Sequence, residues 1–221
     1  GLTVTLLAYQ AAFWLYRRSG VNPLANPVLI AVTILVLLLT LTATSYETYF
    51  AGAQFVHFLL GPATVALAVP LYTQFRRVRS LLLPVLAGLV AGSLTAALSA
   101  IAVARLFGAS LPTQLSLAPK SVTTPIAMGI AERIGGIPSL TAVLVIITGI
   151  LGAVGARYIF DAMKLRDPAI HGFAIGVASH GIGTARAFQV SEQAGAFAAL
   201  AMGLNGALTA LLLPLVLGWL G

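Results

Sequence analysis

The chain carries 221 residues, 59% of them hydrophobic and only 8% charged, where a soluble domain holds about 25% charged residues. That composition, with a mean hydropathy of +1.02, excludes a soluble globular protein and predicts one all-α, polytopic membrane domain over residues 1–221. The net charge of +7 sits in short basic clusters between apolar runs, as the positive-inside rule requires. It does not form the continuous basic face of a nucleic-acid binder. The absence of Cys excludes disulfides, thiolate metal sites and Cys nucleophiles.

A spanning helix needs about 20 apolar residues. The first candidate is Leu2–Tyr16, closed by Arg17-Arg18; it lacks a cleavage site and reads as a first helix, not a signal peptide. Pro23 and Pro27 mark a connection, and Val28–Ala43 is the second span. TSYETYFAGAQ reads as an interfacial segment with Tyr46, Tyr49 and Phe50 as an aromatic belt. The third span, Phe55–Phe75, is interrupted at Gly61-Pro62 and Pro70 and ends at Arg76, Arg77 and Arg79.

Leu81–Ala104 is the fourth span, followed by a loop, GASLPTQ. A second interrupted segment, Leu117–Ile134, precedes a clean span, Leu140–Phe160. A third interrupted segment, Ile170–Phe188, precedes the last span, Ala194–Leu220. If Arg76–Arg79 and Lys164/Arg166 share the cytoplasmic side, an even number of crossings separates them. Leu81–Ala104 and Leu140–Phe160 already supply two, so 117–134 is expected to be re-entrant. GPATVALAVP (61–70) can be laid over APKSVTTPIA (118–127), a short echo of the kind left by internal repeats.

Two charges stand inside apolar segments: Lys120 in LAPKSVTTPIAMG and Arg186 in GVASHGIGTARAF. Each costs roughly 2.5–3.5 kcal/mol at mid-membrane depth, and each lies beside hydroxyl residues and a helix breaker. A broken helix exposes N–H groups that attract anions. Pro119 is expected to start a helix whose first turn holds Lys120, Ser121, Thr123 and Thr124. Ser179, His180, Gly181, Gly183 and Thr184 form a donor-rich stretch ahead of Arg186. Lys offers a mobile point charge and Arg a planar fork, a pairing suited to a small carboxylate and unsuited to a metal ion.

Each residue also has a plainer reading. Lys120 snorkels to the interface, or Arg186 neutralises Glu192 or Glu132 inside the bundle. Glu132 belongs either to an interfacial turn or to proton coupling. His180 is either a hydrogen-bonded core histidine or a proton carrier. Asn205 either glues helices or joins the substrate site. Gly149, Gly152 and Gly155 permit close helix packing. A hydrolase using Ser179, His180 and Asp161 lacks the nucleophile-elbow pattern, so no enzymatic activity and no cofactor is expected.

LAPKSVTTPIAMGIAERIGGIPSLTAV (117–143), ASHGIGTARAF (178–188) and GAFAALAMGLNGALTALLLPL (195–215) resemble the LrgB/CidB family, as does YETYFAGAQFVHFLLGPATVALAVPLY (46–72). The resemblance covers nearly the whole chain. It implies an antiholin-like protein of the cell membrane that modulates murein hydrolase activity and lysis beside a holin-like LrgA/CidA-type partner. It also implies, through a plastid relative, glycolate/glycerate translocation, and through bacterial relatives, pyruvate and acetate handling. Kinship with cation–proton antiporters and anion transporters implies an inverted repeat, broken helices and a dimer. The combined expectation is a carrier of small monocarboxylates, with antiholin-like regulation as the alternative.

Overall fold

The computed structural model describes residues 1–20, 22, 25–59, 62, 65, 66 and 68–218, and all regular structure among them is helical. Contacts divide the chain into two units, Gly1–Ala68 and Val69–Gly221.

The first unit holds α1 (Leu2–Arg18), α2 (Pro27–Leu41) and α3 (Tyr46–Phe58). Asn26 caps α2 by accepting from the Val28 and Leu29 amides at 2.9 and 3.2 Å, and Pro27 follows where a helix tolerates proline. The expected interfacial segment falls largely in the first half of a continuous helix, α3. Ser45 Oγ accepts from the Thr48 amide at 3.2 Å, and Tyr46 stacks on Phe50 one turn on, so the aromatic run propagates a helix. Gly61, the first expected break, and the side chain of His57 lie outside the described residues.

The second unit holds α4 (Ala68–Thr73), α5 (Phe75–Ser80), α6 (Leu82–Leu106), α7 (Leu111–Leu117), α8 (Thr124–Ile134), α9 (Pro138–Ala162), α10 (Pro168–Val190) and α11 (Glu192–Gly218). Among the described residues, three helices are long and apolar enough to cross a membrane: α6, α9 and α11. Pro70 lies inside the helical run of α4 and does not end it. The loop expected at GASLPTQ is half helical, because Pro112 falls in the first turn of α7.

Residues 117–136 fold back on themselves within the bundle. Ser116 Oγ accepts from the Ile137 amide at 2.7 Å, and Thr141 Oγ1 donates to the Ser116 carbonyl at 3.0 Å. The two ends of the segment therefore touch, so it is a hairpin. Its returning arm, α8, has 11 residues, a rise of about 16 Å.

α10 is a second hairpin, which the sequence reading treats only as an interruption. Its helical geometry fails at Ser179 (φ −128°, ψ 15°) and His180 (φ 41°, ψ −133°). Before the break, Gly172 lies on Ala194 and Gly176 on Ala198, so that arm runs parallel to α11. After it, Thr184 Oγ1 meets Met202 Sδ and Phe188 meets Gly195, so the second arm runs back. Gly183 packs against Ile175 and Ser179 of the first arm.

The hairpins enter from opposite ends of α9. The base of the first adjoins the start of α9, at Ile137–Thr141. The base of the second adjoins its end, where Arg77 Nη2 binds Asp167 Oδ2 at 2.8 Å. Gln193 turns its amide oxygen to the same guanidinium, 2.7 Å from Nη1. The Arg76–Arg79 cluster and Lys164/Arg166 thus share one end of this unit, as the charge argument requires. In sealed vesicles, Arg79→Cys and Lys164→Cys should react with an impermeant maleimide from one side, and Ser110→Cys and Ile137→Cys from the other. The chain has no native Cys to confuse the labelling. Labelling of Ser110→Cys from the same side as Arg79→Cys would overturn this topology.

Candidate functional site

The tip of the first hairpin is built by its proline. Pro119 has no N–H to continue α7, and the chain makes two tight turns instead: the Lys120 amide donates to the Leu117 carbonyl at 3.1 Å and the Val122 amide to the Pro119 carbonyl at 3.2 Å. The expected helix from Pro119 is therefore displaced to Thr124, where Pro125 occupies the first turn and Thr123 is the N-cap. Lys120 and Ser121 precede the helix and do not lie in its first turn. The Thr123 hydroxyl makes no capping bond, so the first amides of α8 keep their donors. Lys120 is half-buried; its Nζ donates to Ser121 Oγ at 3.4 Å, and it has no carboxylate within 4.0 Å among the described residues. Val122 anchors the tip, packing with Ala127, Ile130 and Val145.

The tip of the second hairpin is held against the middle of α9. His180 Nε2 lies 2.9 Å from the Val145 carbonyl, an acceptor, so this nitrogen carries the proton. Glycines admit the tip. A Cβ on Gly149 would stand 2.7 Å from His180 Cε1, and one on Gly152 would collide with Ser179 Oγ. Gly155, the third of the series, faces open space. Thr184 Oγ1 donates to the His180 carbonyl at 2.8 Å, capping the reversal. Ser179 is 1% exposed, and its Oγ is the one buried side-chain polar atom without a partner among the described residues. Such an orphan costs about 1–3 kcal/mol.

Asn205 of α11 joins the two tips. Its Nδ2 donates to the Val177 carbonyl at 3.0 Å and to the Ser121 carbonyl at 3.3 Å. Its Oδ1 accepts from Ser93 Oγ of α6 and from Thr209 Oγ1. The side chain is 1% exposed. Both carbonyls belong to stretches where a helix is interrupted, and Asn205 supplies the donor that the helix no longer does.

The structure thus brings together Ser121, His180, Thr184 and Asn205, with Lys120, Thr123 and Thr124 on the same tip as Ser121. Arg186 lies apart, six residues along the second arm, about 9 Å from the tip. There its Nη1 donates to Gln189 Oε1 at 3.0 Å. Glu132 is exposed near the base of the first hairpin, at the opposite end from Arg186, which removes it as that residue's partner. Gly181 is half-exposed at the tip, with only Met202 Sδ near it, whereas Gly183 serves the contact between arms. Ser179, His180 and Asp161 form no relay, since Asp161 lies at the end of α9 beside Arg157 and Arg166. The carbonyls of Val145 and Val177 carry no sequence signal, because any residue could supply them.

The model of the LrgB-like family matches residues 5–219. The chain belongs to the LrgB-like family. Among relatives of this LrgB-like chain, YxaC of Bacillus subtilis (strain 168) is 36% identical over 219 residues, covering 99% of this chain and 94% of its own. YwbG of the same strain is 34% identical, covering 99% and 97%. The antiholin-like protein LrgB of Bacillus cereus (strain B4264) is 30% identical over 222 residues, covering 100% and 96%. No solved structure matches.

Proposed function

We propose that this LrgB-like protein is a secondary carrier of small monocarboxylates or 2-hydroxy acids (glycolate, glycerate, pyruvate or acetate), binding the carboxylate where the two hairpin tips meet. The observation that carries this reading is the pair of broken hairpins, inserted from opposite ends and tied at their tips by one side chain. Lys120 is the counter-charge, and the free amides of Thr124 and Ile126 and the hydroxyls of Ser121 and Thr123 are the donors. Irregular backbone at membrane depth survives only where protein or a water-filled cavity surrounds it, and paired broken segments favour a transport site. His180, buried between the tip and α9, is the proposed proton carrier in place of Glu132. Arg186 is assigned to the approach along the second hairpin's arm.

The order hairpin then long helix occurs twice, in 111–162 and 168–218, with opposite sense. This supports an inverted repeat of those two halves, a pairing distinct from the echo between 61–70 and 118–127. The site requires no catalysis and no cofactor.

A second reading is favoured by the name of the Bacillus cereus relatives: an antiholin-like regulator in the cell membrane that works through a holin-like partner. In that reading Lys120 meets an acidic residue of the partner. Uptake of the four labelled acids into proteoliposomes separates the two. The carrier reading expects saturable uptake by the chain alone, reduced at least about tenfold in Lys120→Ala, the loss of about 1.4 kcal/mol that one charge-assisted contact supplies. No uptake of any acid by folded protein, with or without a co-reconstituted holin-like partner, would leave the regulatory reading.

A further inference from the structure

Between the start of α6 and the first arm of the second hairpin lies a cleft of about 340 Å³, lined by Leu81, Pro84, Val85, Ile170 and Phe173. Gly88 gives it depth, because a Cβ there would press on the Phe173 ring at 3.1 Å. The walls are nearly all carbon, and Asp167 is the one polar side chain among them. The Asp167 end is strongly basic. α5 carries Arg76, Arg77 and Arg79 in six residues, with Val78 between them packed toward Val85 and Phe197. Arg77 is satisfied by Asp167, and Asp161 is shared by Arg157 and Arg166. Arg76 and Arg79 are exposed and have no carboxylate within 4.0 Å among the described residues.

We propose that this cleft seats one acyl chain of an anionic phospholipid whose phosphate rests on Arg76 and Arg79. The apolar cleft lies on membrane-grade helices, while the uncompensated cations lie at the helix ends, the level at which headgroups stand. Basic sites beside helix ends select anionic headgroups. A water-soluble anion would use the arginines and leave the carbon-lined cleft empty. A second copy of this chain would bring the same basic cluster and repel it.

The test uses the purified full chain, titrated in neutral detergent with phosphatidylglycerol and with phosphatidylcholine of identical tails, reading thermal stability. Phosphatidylglycerol should bind roughly tenfold or more tightly, the preference expected of two arginines near an anionic headgroup. The preference should vanish in Arg76→Ala/Arg79→Ala. To place the tail, Phe173→Trp in a Trp14→Phe/Trp219→Phe background should be quenched by phosphatidylglycerol with brominated tails, and less so by brominated phosphatidylcholine. Equal affinity for the two lipids, a preference that survives loss of both arginines, or equal quenching would overturn the proposal. So would an equal stabilisation by glycerol 3-phosphate, which has no tail, or a quenching signal replaced by dimer-dependent shielding of the new Trp.

Discussion

Asn205→Leu should lower stability by about 2–4 kcal/mol, because the leucine matches the amide in size and removes both donors at once. The Val177 and Ser121 carbonyls, buried at interrupted helices, then lose the proton that Asn205 supplies. A buried acceptor left unsatisfied costs about 1–3 kcal/mol, although single interhelical hydrogen bonds in membranes average nearer 0.6 kcal/mol. Two acceptors on two different hairpins place the sum above that average. Asn205→Asp is the sharper variant, since it keeps the acceptor facing Ser93 and Thr209 and loses both donations. Unfolding in a denaturing detergent measures the loss, and proteolysis at 118–123 reports whether the first tip has come away. A leucine variant within about 0.5 kcal/mol of the parent, the noise expected of a surface change, would show that Asn205 does not tether the tips.

Gly152→Ala should loosen the second hairpin tip from α9. The new Cβ would occupy the position of Ser179 Oγ and lie 2.9 Å from Ser179 Cβ, at a hairpin tip that already holds His180 at φ 41°. Overpacking of this kind costs about 1–3 kcal/mol. Adding Ser179→Gly should restore most of the stability. Gly155→Ala, one turn away with nothing near its Cβ, should be neutral or stabilising by up to about 1 kcal/mol through helix propensity. If the two alanine variants melt alike, the second tip does not rest on α9. The same geometry predicts that His180→Gly relaxes the backbone yet weakens the tip, because it removes the bond to the Val145 carbonyl.

Much of the second unit was legible in the residues. The long spans announced themselves by length and hydropathy, and the fold-back of 117–134 was expected from counting crossings between two basic clusters. Arg77 bound to Asp167 sets the two basic clusters at one end of the unit, the arrangement that count requires. The break at Ser179-His180 was marked by its glycines, but the reversal was not: a kinked helix and a folded-back one share the same composition. The contacts of Gly183 with Ile175, Thr184 with Met202 and Phe188 with Gly195 disclose which it is, and those are tertiary contacts. The start of α8 was misplaced for a related reason. Two prolines, Pro119 and Pro125, each qualify as a first-turn residue, and the choice between them rests on where the tip packs. Asn205 was visible as a polar residue in an apolar helix, but its two acceptors are backbone carbonyls, which no sequence pattern marks.

The position of Asn205 has a consequence for biosynthesis. Both hairpins are made before the helix that ties them, since α11 follows them in the chain. A nascent chain that has emerged as far as residue 190 holds two interrupted segments with carbonyls still lacking their donor, in a solvent that offers none. Chains stalled or cleaved ahead of α11 should therefore be the forms that quality-control proteases remove, and final assembly waits on the arrival of one amide.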